Sequence, residues 1–210
     1  MGRTSAPAEG VVAVGASAGG IEALSELAAG MPPDFPFAVM IVIHMSRGAP
    51  SLLAQIINRS GPLPAVAAVD GVALEAGRIY AAVPNRHLLA RDHRVALSDG
   101  PSEGGRRPGI DALFRSVALD YGPRAIGVLM SGLLDDGVAG LRAIKAKRGV
   151  AVVQEPSDAL FPDLPRNAIK AGLADHTAAA KEIGGLLGQL AARDIEEQAD
   201  PDGRPSPTNA

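Results

Sequence analysis

From residue 11 the chain alternates unbroken apolar runs with segments of helical periodicity. "VVAVG" (11–15) leads to a helix near 19–30, and "FAVMIVI" (37–43) to one near 50–59. "AIGVLM" (125–130) leads to a helix near 137–147, and "VAVVQ" (150–154) to one near 165–171. Runs that stay apolar at every position, rather than at every second one, suit strands buried on both faces of a parallel sheet. Strand–helix–strand order then predicts an α/β fold, a three-layer doubly wound sheet with helices on both faces. The middle breaks the pattern. "GRIYAAV", "HLLAR" and "RVALSDG" are short and separated by turn residues, so a short antiparallel hairpin excursion is expected there. Residues 1–9 and 196–210 are polar and rich in Pro, Gly and Asp, which predicts loose tails around one domain of residues 10–195.

Composition narrows the function. Hydrophobic residues make up 47% of the 210, but aromatics only 3%, so the core is aliphatic and offers no platform for stacking bases. A net charge of −3 adds no electrostatic footprint for nucleic acid. The absence of cysteine removes thiol nucleophiles, disulfides and zinc-thiolate sites. No apolar run is long enough to span a bilayer, and "MGRTSAPAEG" lacks a signal-peptide core, so a cytoplasmic protein without membrane insertion is expected.

The chemistry concentrates at "VVAVGASAGGIEAL". A glycine-rich turn between strand and helix can cradle a phosphate. A dinucleotide site, however, needs glycine where Ser17 stands and an acid at the end of the second strand, which instead ends in His44. No Gly-Lys-Ser/Thr follows to make a Walker-type loop. The same residues also fit G-x-S-x-G, which holds a serine on a tight elbow. Ser17 and His44 each follow a strand and are 27 residues apart, about one βαβ unit. Parallel strands put both at the carboxyl edge of the sheet, where α/β folds bind ligands. A serine hydroxyl needs a base, and histidine titrates near neutral pH. The third member, an acid to orient the imidazole, is Asp135 or Asp136 in "SGLLDDG" after the strand "AIGVLM". The other histidines read as structural at 87 and 176 and solvated at 93. No second cluster has metal-ligand spacing. Arg106 and Arg107, in a Gly- and Pro-rich loop entering a helix near Ile110, read first as a solvated loop and second as the flank of a cleft.

"VGASAGGIEAL", "VIHM", "RRPGIDALFRSVA", "AIGVLMSGLLDDGVAGLRAIK" and "LPRNAIKAG" together resemble, in order and spacing, the CheB-type chemotaxis receptor methylesterases over residues 11–176. The resemblance implies a cofactor-free hydrolase of glutamate γ-methyl esters on chemoreceptor cytoplasmic helices, with glutamine deamidation as a companion activity. It implies Ser17 as nucleophile, His44 as base and Asp136, not Asp135, as the triad acid. Backbone N–H groups of Ala18 and Leu133 would hold the oxyanion. Its partners would be methyl-accepting receptor domains and, with the match starting at residue 11 and no receiver domain expected, a separate regulatory protein. Two departures stand out. Leu134 replaces a glycine, which is costly if that position needs positive φ, and "LFPDLP" replaces Phe-Gly-Met-Pro. A catalytically impaired CheB-like binding protein is the rival expectation.

Overall fold

A computed structural model describes residues 6–45, 48 and 52–199. Seven strands form one parallel sheet. They are β1 (Val11–Ala16), β2 (Ala38–Ile43), β3 (Ala65–Ala67), β4 (Ile79–Ala81), β7 (Ala125–Leu129), β8 (Val150–Gln154) and β9 (His176–Ala178). Their order is β3-β4-β2-β1-β7-β8-β9. β5 (His87–Arg91) and β6 (Arg94–Ser98) pair antiparallel as a separate hairpin. The helices are α1 (Gly20–Ala29), α2 (Leu53–Ser60), α3 (Ile110–Tyr121), α4 (Val138–Ala146), α5 (Asp163–Lys170) and α6 (Ala180–Ala199). The expected α/β class, parallel sheet and hairpin are all present.

Every residue of β1, β2 and β7 is buried, as the continuous apolar runs require. Successive side chains alternate between two cores. Val11 and Ala13 pack with Leu113, Phe114, Leu141 and Leu164 of α3, α4 and α5. Val12, Val14 and Ala16 pack with Leu24, Ile57, Ile183 and Leu187 of α1, α2 and α6.

Three expectations are corrected in detail. "GRIYAAV" is not part of the hairpin: Ile79–Ala81 is a strand of the main sheet, parallel to both β2 and β3. Its residues are buried throughout, because Tyr80 faces one core and Ile79 and Ala81 the other. Residues 6–9 are not loose. Pro7 bridges Glu75, Ala8 N–H donates to the Leu74 carbonyl, and the Ala6 carbonyl accepts from Ala76 N–H. At the other end α6 runs four residues into the expected tail. Residues 1–5 and 200–210 of the tails, and positions 50 and 51 of the second expected helix, lie outside the described residues.

Candidate active site

β1 leads in one direction to β2 and, across the sheet, has β7 as its other neighbour. The carboxyl ends of β1 and β7 therefore flank the point where strand order reverses, the usual ligand crevice of an open α/β sheet. Ser17 follows β1, His44 follows β2, and Ser131 to Gly137 follow β7.

The structure brings the three candidates together. His44 Nδ1 lies 2.9 Å from Ser17 Oγ, and His44 Nε2 lies 2.6 Å from Asp136 Oδ2. The His44 and Asp136 side chains are only 7% and 13% exposed, so water competes weakly for these bonds. Asp136 is held further by two backbone donors. Oδ2 accepts from Ile110 N–H and Oδ1 from Asp111 N–H, both at 2.9 Å. These are unpaired groups at the start of α3, where the helix dipole also favours an anion. Burial pushes the Asp136 carboxyl upward, but the bonds from His44, Ile110 and Asp111 outweigh it and leave it below its ordinary value of 3.8. An ionised Asp136 accepts from Nε2–H, which leaves Nδ1 as the acceptor for the Ser17 hydroxyl.

Asp111 returns the favour to α4. Its Oδ1 accepts Gly137 N–H at 2.9 Å and Gly140 N–H at 2.6 Å. Burial, with the neighbouring Asp136 charge adding to it, raises the Asp111 carboxyl above its ordinary value despite those two bonds. Asp135, the alternative acid, is exposed and makes no bond to His44; one residue separates the two roles.

The elbow itself is tightly framed. Ser17 N–H donates to the Ser131 carbonyl at 2.9 Å, and the Ser17 carbonyl accepts Gly20 N–H at 3.0 Å. Because a trans peptide is planar, that second bond turns Ala18 N–H to the opposite side. The Gly132 carbonyl accepts Leu164 N–H at 3.0 Å, which fixes Leu133 N–H in the same way. Neither Ala18 N–H nor Leu133 N–H has a partner among the described residues. Gly132 must lack a side chain, since a Cβ would sit 2.9 Å from Ser17 Cβ and 2.8 Å from Leu164 Cδ2. Leu134 adopts φ +66°, the left-handed backbone that glycine takes without strain, with 63% of its surface exposed.

"LFPDLP" packs against the elbow and bonds both sides of Gly132. A Cβ on Gly19, itself at φ +67°, would lie 2.9 Å from Leu160 Cβ and 3.0 Å from Phe161 Cδ2. Beside Asp136 a small cleft is lined by Glu103, Arg106, Leu134 and Asp135. The two arginines thus divide. Arg107 turns inward to Asn85 Oδ1 and the carbonyls of Asp99 and Gly100, whereas Arg106 flanks the cleft. His87 is a buried structural residue that accepts Gly109 N–H at Nδ1 and bonds the Pro101 carbonyl through Nε2. His93, at φ +57° in the hairpin turn, is exposed and meets Tyr121 edge-on at 5.0 Å. His176 lies in β9, away from the triad positions. Ser131, Gln154 and Asp111 carry no motif signal of their own; all three lie within the quoted segments, but no residue spacing there marks them as part of the site. Among the described residues no three His, Asp or Glu side chains gather as a metal would require, and no helix is long and apolar enough to cross a membrane.

The fold and the sequence have known counterparts. The crystal structure of the Thermotoga maritima CheB methylesterase catalytic domain superposes with a TM-score of 0.82 at 26% identity, covering 86% of this chain and 98% of that one. Protein-glutamate methylesterase/protein-glutamine glutaminase 3 of Anaeromyxobacter dehalogenans (strain 2CP-C) is 40% identical over 179 residues, 84% of this chain and 52% of the relative. The corresponding protein 4 of Geobacter metallireducens (strain ATCC 53774 / DSM 7210 / GS-15) is 36% identical over 182 residues, 86% of this chain and 52% of the relative. The chain thus spans about half the length of these curated relatives. The family model described as CheB methylesterase matches residues 12–187, from β1 into α6, and the chain therefore belongs to the CheB methylesterase family.

Proposed function

We propose that this chain is a protein-glutamate methylesterase that hydrolyses glutamate γ-methyl esters on the cytoplasmic helices of chemoreceptors. The observation that carries the reading is the continuous hydrogen-bond chain from Ser17 Oγ through His44 to Asp136. Ser17 Oγ attacks the ester carbonyl carbon while His44 Nδ1 takes the hydroxyl proton. Asp136 keeps Nε2 protonated, fixes the ring and stabilises the imidazolium that forms. Here Nδ1 faces the nucleophile and Nε2 the acid, so the ring is used in the opposite sense to that of the serine proteases.

The tetrahedral oxyanion is held by the Ala18 and Leu133 N–H groups, whose directions are fixed and which have no internal partner among the described residues. His44 then passes its proton to the leaving methoxide, methanol departs, and a glutamyl ester of Ser17 remains. Water, deprotonated by His44, attacks that ester. It releases the glutamate carboxylate and restores the Ser17 hydroxyl. A glutamine side chain enters the same acyl-enzyme with loss of ammonia, in keeping with the double name of the relatives. No cofactor takes part. The partner is a methyl-accepting receptor's cytoplasmic domain, so the reaction is cytoplasmic.

The test is methanol release from a methylated chemoreceptor signalling domain, with Ser17→Ala beside the wild type. Release that falls by at least about 10³-fold in the variant is the expected result. No release above the variant's level, across several methylated receptors, would favour the rival: a CheB-like protein that binds chemosensory complexes without turnover. One observation speaks for that rival, the strained Leu134 directly beside an oxyanion donor. Methanol release regained on Leu134→Gly would then identify that strain as the defect.

A further inference from the structure

Ser131 is fully buried, and all of its hydrogen-bonding groups are committed. Its N–H donates to Gln154 Oε1 at 2.8 Å, and its carbonyl accepts Ser17 N–H at 2.9 Å. Its hydroxyl donates to the Ala18 carbonyl at 2.8 Å and accepts Phe161 N–H at 3.0 Å. Two of these bonds bracket the elbow. Ser17 N lies before the peptide that carries Ala18 N–H, and the Ala18 carbonyl lies after it. Holding both ends from one residue leaves that peptide little freedom to rotate.

The third bond reaches the other donor. Phe161, tied to the Ser131 hydroxyl through its N–H, accepts Gly132 N–H at its carbonyl. Leu164, three residues on, donates to the Gly132 carbonyl and so aims Leu133 N–H. Gln154 is 2% exposed and is itself anchored, since its Nε2 donates to Asp158 Oδ2, which also accepts Ala180 N–H at the start of α6. Alanine differs from serine by that oxygen alone, so Ser131→Ala removes both hydroxyl bonds with a minimal change in volume. What the oxygen does is join the elbow to the 160s loop.

From this we infer that Ser131 is a positioning residue, whose hydroxyl aligns both oxyanion donors, Ala18 N–H and Leu133 N–H. The inference rests on the acyl-transfer reading of Ser17 given above. Its effect falls on the rate of the bond-forming step rather than on binding, because the donors act fully only on the charge that develops at the oxyanion.

The test uses a probe that needs no receptor. An alkyl fluorophosphonate forms an O–P bond with Ser17 and expels fluoride, with its phosphoryl oxygen in the oxyanion position. The maximal rate and the half-saturating concentration are read by intact-protein mass spectrometry for wild type, Ser131→Ala, Ser131→Thr and Ser17→Ala. Melting curves are taken alongside so that each variant is compared while folded. Ser131→Ala is expected to lower the maximal rate about 10- to 100-fold, short of the roughly 10²–10³-fold loss of a whole donor. The half-saturating concentration should stay within about twofold, and Ser131→Thr should react within about threefold of wild type.

Equal maximal rates in Ser131→Ala and wild type would overturn the inference. So would a folded Ser131→Thr as slow as the alanine variant, since the effect would then lie in packing. A wild type that fails to react at Ser17 overturns it as well. A wild type that reacts there but releases no methanol from methylated receptors removes only the methylesterase reading and leaves Ser131 in its role.

Discussion

Leu134 sits at φ +66° with its side chain 63% exposed, so it bears backbone strain and gains little from packing. A non-glycine residue in that conformation costs about 1–3 kcal/mol. Glycine would remove the strain but add about 0.5–1 kcal/mol of freedom to the unfolded chain. Leu134→Gly should therefore stabilise the protein by about 1 kcal/mol, read as a higher urea midpoint at unchanged m-value. An unchanged or lower midpoint would mean that the strain is already relieved by the bond from Asn167 Nδ2 to the Leu134 carbonyl. At this scale the sequence was most informative about side chains that end strands. Ser17 and His44 follow unbroken apolar runs, and a parallel sheet leaves few places for them to go. The choice between Asp135 and Asp136 was not legible from the residues alone. It depends on which carboxylate meets Ile110 N–H and Asp111 N–H, groups 25 or more positions away.

Two helices cap one another through those acids. Asp136, just before α4, takes N–H groups at the start of α3, while Asp111 in the first turn of α3 takes N–H groups at the start of α4. The exchange fixes the angle at which Asp136 meets His44. The two acids nevertheless shift in opposite directions, because burial prevails at Asp111 and the hydrogen bonds, His44's included, prevail at Asp136. Asp136 lies below 3.8 in the folded protein, so its stabilisation is complete above that ordinary value and is lost as pH falls through its depressed folded value. Asp111 is raised, so its contribution is present below 3.8 and is lost as pH rises through its elevated value. Carboxyl carbon NMR over about pH 2–6 should show Asp111 protonating before Asp136 as acid is added. Replacing Asp136 with Asn should flatten the acid limb of the stability curve, and Asp111→Asn should not. The reverse order of titration would sink this account. None of this reciprocity shows in the sequence, where each acid reads as an ordinary first-turn or loop residue. The strand at Ile79–Ala81 was illegible for a related reason. Three buried residues carry no period, and their partners β2 and β3 are chosen by a crossover rather than by a neighbouring turn.

Across the whole molecule the sheet separates two cores that serve the site unequally. The core containing Leu113 and Phe114 supports α3, whose first N–H groups hold Asp136. It also fills the space that Gly15 leaves open, where a Cβ would lie 2.2 Å from Ile110 Cγ2. The opposite core, with Ile183 and Leu187 of α6, covers the sheet without touching the acid's anchor. The class of fold could be read from the apolar runs because both faces of a parallel sheet must be covered. Which face carries the anchor of Asp136 could not, since α3 is placed by contacts with the hairpin and with α4. Leu113 and Leu187 are both fully buried, so truncation to alanine should cost each variant a comparable amount, about 2–5 kcal/mol. Their effects on turnover should differ. Leu113→Ala loosens the helix that aims Asp136, and displacements near 1 Å in such geometry cost up to about 10²-fold in rate. Methanol release, measured at a temperature where both variants are folded, should fall about tenfold or more for Leu113→Ala. It should stay within about twofold of wild type for Leu187→Ala. Equal losses in the two variants would show that the rate follows global stability, and that the α3 face has no special claim on the site.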